Sequence, residues 1–123
     1  MRIDPATDRA MIARLRSQGL GGPWLPLLAQ LLALAGKSAQ IVRHGERPWS
    51  SITFSGSRHC IVLAFTGEAA MDAGDDFIAT LPDHEFILPR HIVADATVSS
   101  VMQETIPQPK MTVECELLLL DDL

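Results

Sequence analysis

Cysteine is scarce in this sequence of 123 residues. There are two, Cys60 and Cys115, and both stand within apolar, strand-like runs. They are far from the C-x-x-C spacing of redox and zinc sites, and the chain lacks the cysteine density of a disulfide-stapled secreted domain. We therefore interpret both as buried free thiols in a reducing compartment.

Long hydrophobic runs and basic clusters are missing as well. The longest apolar stretch, 24–35, is too short to span a bilayer and is interrupted by Pro26 and Gln30, and the first residues have no apolar signal-peptide region. Lysine and arginine are scattered in a chain of formal charge −5, so no basic surface is available for nucleic-acid phosphates or anionic lipids. These absences predict a cytoplasmic protein with no nucleic acid and no membrane among its partners.

What is present is an ordinary globular composition, 47% hydrophobic and 20% charged, at a length typical of one domain. We expect a single α+β domain over residues 1–123. Its predicted architecture is a two-layer sandwich, in which a mostly antiparallel sheet of about five strands carries helices on one face, in the order α-α-β-β-β-α-β-β. The predicted helices cover 4–19, 23–35 and 67–81, and the predicted strands cover 38–43, 49–54, 59–65, 92–103 and 111–119.

The strand boundaries depend on two predicted turns and one loop. Residues 44–48, with Gly45 and Pro48, and residues 55–57, with Gly56, are typical of turns on either side of a short strand. The proline-stiffened stretch 104–110 then joins two strands whose apolar and polar residues alternate, a pattern that places one face on the core and one in water.

The predicted helix 23–35 is apolar almost all round. Leucines 27, 28, 31 and 34 form one stripe, but Leu25 and Leu32 point elsewhere. A helix of this kind must be covered on more than one side. The strand 59–65 also has two apolar faces. We therefore expect a homo-oligomer, most simply a dimer formed through the apolar helix 23–35.

Residues with catalytic chemistry do not form a known motif: there is no G-x-S-x-G, P-loop, G-x-G-x-x-G or H-E-x-x-H. Three histidines each follow an arginine, and we attribute these pairs to chance and to polar strand ends. The remaining candidates stand in two predicted loops and beside them. As catalytic candidates we name His44, Glu46, Arg58, His84 and Glu85, and as ligand-binding candidates Arg47, Trp49, Phe86 and Arg90.

Two functions follow from these features. The surplus apolar surface favours a non-enzymatic, self-associating binding or assembly module. The alternative is a small metal-independent enzyme, or a small-molecule-binding protein, that uses a His/Glu/Arg pocket whose ligand the sequence does not identify. We expect no cofactor and no metal in either case; a metal-binding protein that uses histidines and carboxylates is a third alternative.

Overall fold

The computed structural model describes residues 24–122, and these form two helices over one antiparallel sheet. The elements in chain order are α1 (Trp24–Ala35), β1 (Ala39–Ser50), β2 (Ser55–Thr66), α2 (Glu68–Thr80), a 3-10 turn (Leu81–Asp83), β3 (His91–Glu104) and β4 (Lys110–Asp121). The strand order in space is β1-β2-β4-β3. Strands β2 and β3 both run antiparallel to β4, so they are parallel to each other, and α2 crosses over the sheet to connect them.

The prediction of five strands is wrong, although the α+β class holds. Residues 44–48, expected to be a turn, lie inside β1, which pairs with β2 as far as Ser50 opposite Ser55. The chain reverses later, where the Ser51 amide donates to the Phe54 carbonyl at 2.7 Å. Pro48 does not break the strand because β1 is an edge strand, where a missing N–H costs no ladder hydrogen bond. The described part of the chain therefore reads α-β-β-α-β-β, with four strands.

The final hairpin follows its predicted pattern on only one strand. The apolar alternation of β4 is confirmed: Met111, Val113, Cys115, Leu117 and Leu119 are all fully buried. In β3 the register with β4 shifts twice, between residues 93 and 95 and between 98 and 100. Each bulge reverses the side-chain alternation between the residues before it and those after it, so Ile92 and Met102 lie on the face opposite to Ala96 and Val98. Ile92 and Met102, which alternation had placed in the core, are consequently exposed.

The core lies between the helices and the central strands β2 and β4. Leu27, Leu28 and Leu31 of α1 and Phe77 of α2 are fully buried against this face of the sheet. Helix α1 is closed by Gly36, whose backbone N–H donates a hydrogen bond to the Leu32 carbonyl. Its φ of 98° is the left-handed conformation that glycine adopts where helices end.

Helix α1 is covered by its own chain, which changes the expectation about the dimer. Five of its apolar residues are buried in the core, and Leu32 and Leu34 also pack against it. None of the helix's leucines is among the exposed large apolar side chains of the described residues. The expected dimer interface on helix 23–35 required exposed apolar side chains, and the described part of this helix does not expose its leucines.

Two expectations concern residues outside the described part of the chain. The first predicted helix, 4–19, lies wholly outside them, and a single domain over 1–123 stays a prediction. Between Trp24 and Asp122, neither helix is long and apolar enough to cross a membrane.

Candidate functional site

A chain of aromatic and polar side chains links α1 to the β1–β2 hairpin. The rings of Trp24 and His44 stack with centroids 3.5 Å apart and planes 8° from parallel. His44 Nε2 lies 2.9 Å from His59 Nδ1, and His59 Nε2 lies 2.9 Å from Ser57 Oγ. We call these four residues, Trp24, His44, His59 and Ser57, the histidine relay.

The pairing of the hairpin and a bulge bring the relay together. The register of β1 on β2 shifts between Ile41 and Arg43, so that His44, rather than Arg43, follows Ile41 on the face that carries the helices. His59 and Ser57 are two apart in β2 and share that face. Trp24 arrives from the first turn of α1. The described structure thus gathers the histidines of two of the three Arg-His pairs, which we attributed to chance, and leaves their arginines on the other face of the sheet.

The relay is buried at its centre, and burial controls its protonation. The His59 side chain is 0% exposed, and desolvation is the main cause that lowers its pKa below the usual 6.5. Glu46, whose Oε1 lies 3.7 Å from His59 Nε2, opposes this effect. Desolvation also lowers the pKa of His44, with a further lowering from His59. Both rings are therefore neutral at pH 7, and one nitrogen of the 2.9 Å contact donates while the other accepts.

The connectivity from Ser57 to His59 to His44 is that of a nucleophile, a base and an orienting group. In such a triad the base must pass its proton on to the leaving group, so its ring edge must touch the substrate. His59 has no exposed surface with which to do this. A catalytic carboxylate would orient His59 through Nδ1, but Glu46 approaches Nε2 instead. The arrangement therefore supports packing of α1 onto the hairpin better than it supports acyl transfer.

The other predicted residues do not join the relay. Arg58 points to the opposite face of the sheet, where its Nη1 lies 3.9 Å from Glu116 Oε2. Arg47 lines the same region, a hollow of about 280 Å³ that Glu46 also borders. The Cys60 thiol is half-buried there and donates to Glu114 Oε1 at 3.1 Å. Cys115 is buried as expected, and burial raises its pKa to about 12.

The loop candidates form a third group. His84 and Phe86 meet edge to face with centroids 4.6 Å apart, and with Glu85 they line a shallow hollow of about 530 Å³ that extends to His91. Arg90 has a φ of 62° in the turn that precedes β3. Trp49 lies at the far end of β1, opposite Gly56. The nine candidates are thus spread over the relay and its border, the opposite sheet face, the loop before β3 and the far end of β1. Within residues 24–122 no group of three or more His, Cys, Asp or Glu is placed to hold a metal ion.

The sheet surface turned away from α1 and α2 carries a second candidate site, which we call the open face. At its centre Val42, Arg43, Val62, Ser100, Met102, Thr112 and Glu114 surround a hollow of about 330 Å³ that spans all four strands. Val42 and Met102 are 56% and 59% exposed. Arg43 Nη2 lies 3.8 Å from Glu114 Oε1 across the strands. In the sequence, two signals pointed to this surface: the double-faced apolar pattern of 59–65 and the polar residues that alternate with apolar ones along the last two strands.

Comparison with known proteins gives one likeness of fold. No family model matches the chain, and no curated protein matches it. A solved structure titled "Virion of native gene transfer agent (GTA) particle" contains a chain similar to this one, with a TM-score of 0.54 and 16% identity over 71% of each chain. At that identity the likeness concerns the fold alone.

Proposed function

We propose that this chain is a non-enzymatic assembly module that associates with copies of itself through the open face. The observation that carries the proposal is the pair Val42 and Met102, two large apolar side chains more than half exposed on a sheet face that no described helix covers. Exposed apolar side chains grouped around a concavity are typical of a surface that becomes buried on association.

The charges of the open face favour a second copy as the partner. The chain as a whole carries −5, so most pairs of surfaces on two copies repel each other. On the open face, however, Arg43 pairs with Glu114 and Arg58 pairs with Glu116. A face that carries both signs in balance can meet its own copy without net repulsion.

The sheet edges offer a less suitable contact. Edge strand β1 contains a bulge and Pro48, and edge strand β3 contains two bulges. Bulges and proline interrupt the row of free backbone groups that a further strand would need. Association by strand addition is therefore disfavoured, and we place the interface on the face instead of the edges or the helix 23–35.

The fold likeness agrees with this role. The similar chain belongs to a virion particle, which is an assembly of proteins. We infer that the same architecture serves assembly here, with a dimer as the smallest unit. The two free cysteines support the cytoplasm as the compartment.

Size-exclusion chromatography with light scattering tests the proposal. We expect a mass of at least two chains at micromolar concentration. A single chain at every concentration up to the solubility limit would remove self-association as the function.

A second candidate function has one observation in its favour. The hollow at residues 82–93 combines the imidazoles of His84 and His91 with the ring of Phe86, as a small-molecule site would. We rank it second because the other predicted catalytic residues lie elsewhere. A protein-detected NMR screen of small anions and aromatic acids tests it: chemical shifts perturbed at His84 would support this function, and no perturbation would remove it.

A further inference from the structure

The histidine relay joins α1 to the sheet by contacts that depend on the protonation of two imidazoles. The other contacts between α1 and the sheet do not depend on protonation. The other α1 side chains that reach the core are leucine and alanine, which do not titrate. At the start of the helix, by contrast, Trp24 rests on the His44 ring, and His44 is held in turn by His59. A change in the charge of these two rings therefore acts on one end of α1 and leaves the apolar remainder of the contact unaltered.

Proton accounting shows when the relay breaks. With both rings neutral, His59 Nδ1 donates to His44 Nε2 and Ser57 Oγ donates to His59 Nε2, or the whole chain runs in the reverse direction. One added proton on His44 is accommodated, since His44 then donates to His59, which donates to Ser57. A second proton places two N–H groups and two positive charges against each other across 2.9 Å.

The charged groups around the relay do not prevent this separation. On β1, Glu46 favours a proton on either ring, but it is exposed and reaches only the Nε2 side of His59. On β3, His91 adds to the positive charge, and its Nε2 is paired with Asp121 of β4 at 3.4 Å. Ser57 of β2 is neutral, and α1 has no charged residue. Glu46 therefore assists the first protonation, and from Trp24 to Asp122 no carboxylate lies between the two rings to stabilise the second.

We infer that the histidine relay is an acid-sensitive latch: protonation of both His44 and His59 separates the two rings and releases the Trp24 end of α1 from the β1–β2 hairpin. The leucines of α1 keep the remainder of the helix on the sheet, so the change is local. The inference does not rest on self-association.

Trp24 reports this change directly once the other tryptophan is removed. In a Trp49→Phe background, we expect the Trp24 emission to shift to longer wavelength between about pH 7 and pH 4.5, with a midpoint below the usual histidine pKa of 6.5. Far-UV circular dichroism should stay constant over the same range. His44→Gln should abolish the pH-dependent shift. His84→Gln is the matched control, since it removes another histidine that contacts an aromatic ring but lies outside the relay, and it should leave the shift intact.

Three results would overturn the inference: emission that does not change with pH, the same transition in His44→Gln, or a transition that coincides with the loss of helical signal. Imidazole nitrogen NMR of the unmodified chain provides a measurement independent of any variant. It should find His44 and His59 neutral at pH 7 and both charged at the acid end of the transition, and a charged ring at pH 7 contradicts the latch.

Discussion

Gly74 lies in the middle of α2, where the helix passes over β2 and β4, and it is buried. A methyl group built at this position overlaps Met111 Cε and lies 2.9 Å from Phe65 Cγ and 3.0 Å from Phe65 Cδ2. Both of these side chains are fully buried, so neither can move aside without disturbing its own neighbours. We therefore predict that Gly74→Ala destabilises the protein even though alanine is the better helix former.

Two opposing effects determine how much Gly74→Ala changes the free energy of unfolding. Replacing glycine by alanine inside a helix gains about 0.8–1.0 kcal/mol, whereas overpacking a filled core costs about 1–3 kcal/mol. The Met111 methyl is the flexible end of its side chain, but the Phe65 ring cannot swing away, so we take the upper part of that cost, about 2–3 kcal/mol, which leaves a net loss of roughly 1–2 kcal/mol. At about 4 °C per kcal/mol, the value between those of smaller and larger domains, Tm should fall by roughly 4–8 °C.

Urea and thermal unfolding followed by circular dichroism measure this change. The neighbouring exposed position provides the control, since the difference between Asp75→Ala and Asp75→Gly gives the helix-propensity gain in the same helix without any core contact. The described contact of α2 with the sheet is wrong if Gly74→Ala is as stable as the unmodified protein. It is also wrong if Gly74→Ala is more stable by the same free energy that separates Asp75→Ala from Asp75→Gly.

Three further predictions concern other parts of the fold. The side-chain amide of Gln30 in α1 donates to the Ile87 backbone carbonyl and accepts from the Ile87 backbone N–H. Gln30→Ala should therefore lower the free energy of unfolding by about 1 kcal/mol and speed hydrogen exchange at 84–88. Gln30→Glu should keep only the hydrogen bond that the Ile87 N–H donates. Gly56→Ala should cost more than about 3 kcal/mol in urea unfolding, because the new Cβ overlaps the backbone carbonyl of Leu119, which cannot rotate away as a side chain could. The free energy of unfolding should fall as pH drops below 6.5, because the relay histidines have lowered pKa values in the folded state and the unfolded chain therefore binds more protons. The fall should level off below the folded-state pKa values. A free energy of unfolding that does not change between about pH 7 and pH 5 would contradict this.

The sequence predicted the elements whose local pattern agrees with their final environment. Helix α1 with its Gly36 stop, helix α2 and the alternation of β4 are of this kind. It failed at β1, because Gly45 and Pro48 favour a turn locally and only the edge position of the strand makes them acceptable. In β3 it failed for a different reason, since two bulges reversed the alternation on which the prediction rested.

The candidate sites show the same division. The apolar second face of 59–65 was readable along the strand, and it pointed to a surface that lies open in the described structure. The contact of His44 with His59 was not readable, because it requires both the hairpin register and the bulge after Ile41. Arg58 was grouped with His44 as a pocket residue, but it follows Ser57 on the opposite face. Register is a property of the paired strands, and a single strand's sequence does not determine it.

The open face is the proposed interface between copies, and sedimentation velocity of two matched variants is its sharpest test. Met102→Arg and Ile87→Arg each place one positive charge on an exposed apolar residue, the first on the open face and the second in the loop before β3. We predict that Met102→Arg sediments as a single chain at concentrations where the unmodified protein and Ile87→Arg sediment as larger species. If Met102→Arg associates as strongly as Ile87→Arg, the open face is not the interface.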